Sequence, residues 1–328
     1  LQQKLYETNP YNMVRLELGK DTETDSATDN KYSRASALLN SWVANRIMVN
    51  EREPAYYLIE EEFLHLGAQT KRYSLLARVK LEEFSSGVII PHEETSPGPK
   101  ADRLNLLTAT KANMSPIMSL YRSQSTHIRD VINTTASERP SSQVSYLENN
   151  IKLWVINQQD RIDTIRDSLR DTPIYLADGH HRYETALRYR GTKDPSISPE
   201  GDHNFVMMSL LDIEDPGLIV LPYHRMLQGI SIEIQERILE RFHEFFDVLD
   251  QSDSPGEIHG LVNSFQSDPD KSASQQMNFG IMTHPGPSFQ VATLKKSFIP
   301  SSPLEKCHSW FLSQTILEPI LGSQETLV

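Results

Sequence analysis

A chain of 328 residues is long for one core, so two domains or one large elaborated one is the starting expectation, and 38% apolar with 23% charged residues suits a globular protein. Forty-four acidic against 32 basic residues give a net charge of −12, which disfavours a protein that neutralises many nucleic-acid phosphates while leaving room for a local basic pocket. The single Cys307 excludes an internal disulfide framework and a cysteine-based zinc cluster and fits a reducing cytoplasm, and no apolar run nears the length that spans a bilayer.

In chain order, Asn9-Pro10-Tyr11-Asn12 reads as a turn, and residues 13–18 alternate like a strand. Residues 21–29 form an acidic loop rich in Ser and Thr. Over residues 32–49, Ala35, Leu38, Leu39, Trp42, Val43 and Ile47 recur at helical spacing and predict one amphipathic helix. Residues 55–64 and 71–81 are β-rich runs on either side of Gly67, a hairpin, with a further strand at 87–90.

A Pro- and Gly-rich loop from Pro91 then leads into a helix with Leu104, Leu107 and Met114 on its apolar side, ended by Asn113-Met114-Ser115-Pro116-Ile117. Lys100 and Arg103 stand three apart, so both can face that loop from the first helical turn, with Asp102 between them. His92 with Glu93 offers an acid/base pair or a cation ligand, and a solvated charged loop is the plainer alternative. Residues 117–121 resume as strand or short helix, 130–146 are polar without a clear pattern, and 152–156 are a strand. Ile162, Ile165 and Leu169 mark the next amphipathic helix.

That helix delivers the chain to its densest chemistry. Residues 173–177 read as a short buried strand, Asp178-Gly179 breaks it, and from His180 onward Tyr183, Ala186, Leu187 and Arg190 follow helical spacing. A strand that turns into a helix presents main-chain N–H groups and the positive end of a helix dipole. His180, His181 and Arg182 at that end make a place for phosphate or another compact anion. Asp178 could equally be a simple cap with Arg182 in solvent, but an acid, a glycine, two histidines and an arginine in five residues favour binding.

Beyond it, residues 191–202 form a loop long enough to move over a nearby site. Residues 204–211 and 217–222 read as buried strands, the second ending in Tyr223-His224-Arg225, a further His-Arg pair that could join the same pocket, although a paired surface histidine is the more frequent outcome. Helices are expected at 232–249 and 257–265, a polar loop at 267–275, a hairpin across 285–287, and a last helix carrying Trp310, Phe311, Ile316, Leu317 and Ile320. The division this suggests is 1–150, an N-terminal α+β part with the hairpin and the His92–Arg103 loop, and 151–328, an α/β part with the Asp178–Arg182 turn.

Several familiar chemistries are missing: no Gly-x-x-x-x-Gly-Lys-Ser/Thr loop, no Gly-x-Gly-x-x-Gly after a strand, and no Gly-x-Ser-x-Gly elbow. Adjacent histidines on a helix diverge by about 100°, which argues against His180 and His181 sharing one ion. Phosphate handling without a P-loop survives.

The stretch Leu176-Ala177-Asp178-Gly179-His180-His181-Arg182-Tyr183-Glu184-Thr185-Ala186 resembles the hallmark of the bacterial and archaeal family called domain of unknown function 1015. Asn9-Pro10-Tyr11, His92-Glu93 with Asp102-Arg103, Leu221-Pro222-Tyr223-His224-Arg225, and 316–322 match it in order over nearly the whole chain. That family usually has a further N-terminal segment with a Pro-Pro-Tyr-Asp-like turn and a C-terminal Met-Pro-x-Lys-Ser-Thr-like motif. Both are missing here, so the expectation is either that part of the pocket is lacking or that the sequence is a piece of a longer chain, and a first residue of Leu1 rather than methionine suggests an omitted natural start.

The Asp-Gly-His-His-Arg core also resembles the phosphate motif of the ParB/sulfiredoxin superfamily, which includes free-serine kinases. The resemblance implies an α/β fold with a mixed sheet and a ParB/sulfiredoxin-like core, carrying an N-terminal hairpin-rich part and a C-terminal α/β extension. It implies that Gly179, His180, His181 and Arg182 hold the transferred phosphate, with Asp178 capping the turn or helping to hold Mg²⁺. The expected activity is phosphoryl transfer from ATP, ADP or pyrophosphate to a small hydroxylated metabolite, serine first. Glu93, His92 and His181 would be the catalytic set, Glu93 by its chemistry, and Lys100, Asp102, Arg103, His224 and Arg225 would bind substrate. A non-catalytic nucleotide-binding or regulatory protein is the main rival; a ParB-like nuclease or DNA-binding protein fits the −12 charge poorly.

Overall fold

A computed structural model describes residues 2–65, 67–92, 98–123 (98–100 as backbone alone), 125–146, 149–193, 201–221, 224–254, 257, 260, 277–283 and 288–322. They fall into two compact units, Leu1–Val220 and Leu221–Val328.

The first unit opens with helices α1 (Gln2–Thr8), α2 (Val14–Glu17) and α3 (Lys31–Ala44). Residues 13–18, expected as a strand, therefore hold a one-turn helix over 14–17. Asn12 Oδ1 accepts the Val14 N–H at 3.0 Å, an Asx turn that starts α2. Val14 and Leu16 are both buried, and that two-residue spacing is what imitates a strand. A capping box between Asn30 and Ser33 starts α3. The helix stops at Ala44 rather than at 49, because Arg46 takes a positive φ of 56°.

The hairpin forms as expected, with β1 (Tyr56–His65) and β2 (Ala68–Lys80) turning at Gly67, whose φ is 81°. Next come β3 (Ile89–Ile90), α4 (Gly98–Thr110), β4 (Ile117–Tyr121), α5 (His127–Ala136), β5 (Ser142–Tyr146), β6 (Asn149–Ile156) and α6 (Gln159–Leu169). The unit ends with β7 (Ile174–Asp178), α7 (His180–Gly191) and β8 (Phe205–Asp212).

All eight strands join one mixed sheet in the order β3-β7-β4-β8-β2-β1-β6-β5. The pairs β3/β7 and β4/β8 are parallel and the rest antiparallel. The expected division near residue 150 is corrected by this pairing: β6 lies antiparallel to β1, with Ile156 opposite Tyr56. The core packs Leu58, Leu75, Ile117, Tyr121, Ile156, Tyr183 and Met208, each at most 1% exposed. Burying a side chain of this size contributes roughly 1.5–3 kcal/mol.

The strand expected at 217–222 is also corrected. Among its described residues none is in a strand, and Val220 and Leu221 are 86% and 68% exposed. The run follows a tight crossing instead: a Cβ on Gly217 would lie 1.9 Å from the Lys71 carbonyl oxygen, so only glycine fits against β2. Residues 194–200 of the expected 191–202 loop lie outside the described residues.

The second unit packs α8 (Ile232–Phe245) on a three-stranded sheet of β9 (Phe246–Ser252), β10 (Asn278–Thr283) and β11 (Ser288–Leu294), in the order β10-β11-β9. The helix expected to reach 249 ends at Phe245, where Phe246 turns extended and opens β9. The expected hairpin is β10–β11; its turn at 285–287, most of the 257–265 helix and the 267–275 loop lie outside the described residues. The last helix is broken into α9 (His308–Phe311), a π-helical turn (Leu312–Leu317) and α10 (Glu318–Leu321). Pro319 has no N–H for the Thr315 carbonyl, and that oxygen accepts from Arg241 Nε. Among the described residues no helix is long and apolar enough to cross a membrane.

Candidate functional site

The site is built where β7 becomes α7. Gly179 makes the bend with φ 99° and ψ 26°, a conformation that a side chain strongly disfavours. Space enforces the same choice, since a Cβ there would lie 2.9 Å from Arg182 Nη2. Because β4 runs antiparallel to β7 with Met118 opposite Asp178, the residues just before β4 lie beside the bend. Arg182 Nη1 donates to Ser115 Oγ at 3.0 Å and to the Pro116 carbonyl, and its Nη2 meets Asp178 Oδ2 at 2.7 Å.

A second arginine completes the wall. Arg103 Nη1, from α4, donates to Glu17 Oε1 at 3.3 Å, and Ser115 Oγ donates to the same oxygen at 2.9 Å. Glu17 ends α2. These side chains, with Gly179, His180 and His181, line a cavity of about 470 Å³.

The start of α7 is held from behind. Tyr183, with no exposed surface, donates its hydroxyl to the Glu82 carbonyl at 2.7 Å and accepts the Glu82 N–H at 3.0 Å. Its ring stacks on Phe84 at 5.2 Å. Burial pushes the Tyr183 hydroxyl up to about 12, against the opposing pull of its Glu82 hydrogen bond. His180, 1% exposed, accepts the His92 main-chain N–H at its Nε2 at 3.3 Å, and the two rings meet edge to face at 4.5 Å. His92 Nδ1 lies 2.6 Å from the Leu176 carbonyl, which can only accept, so that nitrogen carries the proton. His181 Nε2 is buried and has no hydrogen-bond partner among the described residues.

The family model described as "Protein of unknown function (DUF1015)" matches residues 1–316. The chain belongs to the DUF1015 family. No curated protein and no solved structure matches it.

Of the residues the sequence singled out in this DUF1015 chain, Asp178, Gly179, His180, His181, Arg182 and Arg103 come together at the cavity. His92 is not among its lining residues; it sits behind His180, with its ring committed to the Leu176 carbonyl. Asp102 turns to α3, accepting the Tyr32 hydroxyl at 2.8 Å and pairing with Lys31 at 3.2 Å. Burial opposes its charge, but those two partners outweigh it and hold the carboxyl below its ordinary range. Lys100 lies in the first turn of α4, described as backbone alone, and Glu93 lies outside the described residues. His224 and Arg225 belong to the second unit, and none of the described residues 213–221 before them is in a strand.

Two cavity residues of this DUF1015 chain escaped the sequence reading. Glu17 looked like one more alternating strand residue and Ser115 like the end of a helix. Only the β4–β7 pairing and the packing of α2 reveal them. Among the described residues no group of three or more His, Cys, Asp and Glu side chains is arranged to hold a metal ion.

Proposed function

We propose that this cavity binds a phosphate group and that the protein transfers a phosphoryl group from ATP, ADP or pyrophosphate to a small hydroxylated metabolite, serine being the first acceptor to try. The observation that carries this reading is the meeting of a helix start, reached through left-handed Gly179, with two guanidinium groups at one cavity. Helix starts favour anions, and guanidinium groups bind phosphate through paired N–H donors. The proposal includes a ParB/sulfiredoxin-like arrangement of the motif.

Both guanidinium groups hold carboxylates: Arg182 the Asp178 side chain, which is 73% exposed, and Arg103 the Glu17 side chain. A pair with an exposed partner, as Asp178 is for Arg182, contributes about 0–1 kcal/mol, whereas charge-assisted hydrogen bonds to a ligand contribute about 1.5–3 kcal/mol each. A phosphate group therefore displaces Asp178 from Arg182 at small cost. His181 Nε2, without a partner, is a further contact for its oxygens.

Asp178 is the residue that would hold Mg²⁺ beside a bound phosphate, because that ion is often held by one or two carboxylates plus the substrate rather than by a protein cage. Bound there, it supplies charge neutralisation on the transferred group. Arg182 and the first-turn amides of α7 orient that group and stabilise its developing charge.

The test is incubation with serine, Mg²⁺ and each donor in turn, followed by mass spectrometry for O-phosphoserine. Product with one donor, lost in Arg182→Ala, is expected; no product with any donor, together with no effect of phosphate on melting, overturns the reading. A non-catalytic nucleotide-binding role is the second reading, favoured by the pairing of both arginines. It predicts nucleotide-induced stabilisation with no product from any small alcohol.

A further inference from the structure

The polar chain around Ser115 has a direction. Glu17 can only accept from the Ser115 hydroxyl, and Arg182 can only donate to it. The single hydroxyl proton is thus aimed at the Glu17 carboxylate, one oxygen lone pair takes the Arg182 N–H, and the second is committed to neither. Glu17 is in turn oriented by Arg103. A hydroxyl, an adjacent base and a third group that orients the base is the arrangement that activates a nucleophile. Here it stands on the wall of the phosphate cavity, at the start of a helix.

We propose that Ser115 is itself phosphorylated, as a covalent intermediate of the phosphoryl transfer; the inference rests on the reading of the cavity as a phosphate site. In the first step Ser115 Oγ attacks the terminal phosphorus of the donor, a nucleoside polyphosphate or pyrophosphate. The Oγ–P bond forms, the bond from that phosphorus to the bridging oxygen breaks, and the donor leaves with one phosphate fewer. The hydroxyl proton passes to Glu17. In the second step the metabolite oxygen attacks the phosphoserine phosphorus: the new O–P bond forms, the Ser115 Oγ–P bond breaks, the metabolite's hydroxyl proton goes to water, and Glu17 returns its proton to Ser115 Oγ. Arg182 and Arg103 flank the phosphoserine, and Arg182, already donating to Oγ, stabilises the oxygen as attacking and as leaving group.

The experiment uses the full chain with Mg²⁺ and terminally labelled ATP, ADP or pyrophosphate, without acceptor, followed by peptide mapping. Label on Ser115 is expected, discharged on adding acceptor, with ping-pong steady-state kinetics. Ser115→Ala should still be stabilised by inorganic phosphate, which shows that it folds and keeps the site, yet take up no label. Glu17→Gln should be labelled at least tenfold more slowly. Wild-type protein that binds phosphate but carries no label at Ser115 with any donor, or full turnover by Ser115→Ala, overturns the intermediate and leaves the phosphate site standing. Wild-type protein that neither binds phosphate nor is labelled overturns both.

Discussion

Asp178 and Arg182 face each other across Gly179, with Oδ2 and Nη2 2.7 Å apart, so the carboxylate at the end of β7 occupies the guanidinium that opens α7. The same guanidinium reaches back to Ser115 and Pro116 at the start of β4. One side chain thus ties strand, turn and helix together and also faces the cavity.

That double duty sets the first prediction. Arg182→Ala should weaken inorganic phosphate binding at least tenfold, about 1.4 kcal/mol, and lower unfolding stability by about 1–3 kcal/mol, because Pro116 and Ser115 lose a charged donor. Arg182→Lys should recover part of the binding, since it restores charge without the two-pronged donor. Calorimetric titration and urea denaturation of the three proteins check this.

Gly179→Ala should be more damaging than its size suggests. A φ of 99° costs a side chain about 1–2 kcal/mol, and the new methyl group would press on Arg182 Nη2. Stability should fall by at least that amount and phosphate binding should fall with it. An alanine variant with unchanged midpoint and unchanged affinity would contradict the geometry of the bend.

Tyr183 predicts an alkaline signature. Its hydroxyl is pushed up to about 12 from an ordinary 10.0, so it stays protonated in the fold while the unfolded chain ionises first. The stability it contributes is complete below pH 10 and lost as pH rises towards 12. Tyr183→Phe should cost about 1–2 kcal/mol at neutral pH, where the Glu82 N–H and carbonyl lose their partner, and should leave a shallower alkaline decline. Some decline remains, because burial also raises Tyr73 and Tyr121. Chemical denaturation across pH 8–12 measures it.

Glu60 predicts the acid counterpart. It is 3% exposed; burial opposes its charge, but Lys152 Nζ at 2.6 Å and the Tyr73 hydroxyl at 2.7 Å outweigh that and hold it below its ordinary 4.5. A lowered carboxyl stabilises the fold above that value and loses its contribution as pH falls through its folded pKa. Glu60→Gln should cost about 2 kcal/mol at neutral pH and flatten the acid limb of the stability curve. An acid limb identical to that of the wild type would contradict the assignment.

What the sequence made legible was local. Ile174 to Ala186 carries its strand, its left-handed glycine and its helical spacing in one short stretch, and the β1–β2 hairpin is announced by Gly67. Where local and tertiary signals part, the reading failed. Val14 and Leu16 are buried two apart on a one-turn helix, Gly217 is set by the closeness of β2, and Phe246 leaves α8 because β11 offers a strand partner. Glu17 and Ser115 are 98 residues apart and meet only where α2 packs beside the residues before β4, so no spacing in the sequence marks them as neighbours.

A crystal soaked with ADP and Mg²⁺ tests the phosphate site most directly. The account predicts a phosphate group at the start of α7, within hydrogen-bond distance of Arg182 and the first-turn amides, with Asp178 released from Arg182. Nucleotide bound elsewhere, with the Asp178–Arg182 pair intact and only water in the cavity, would contradict it.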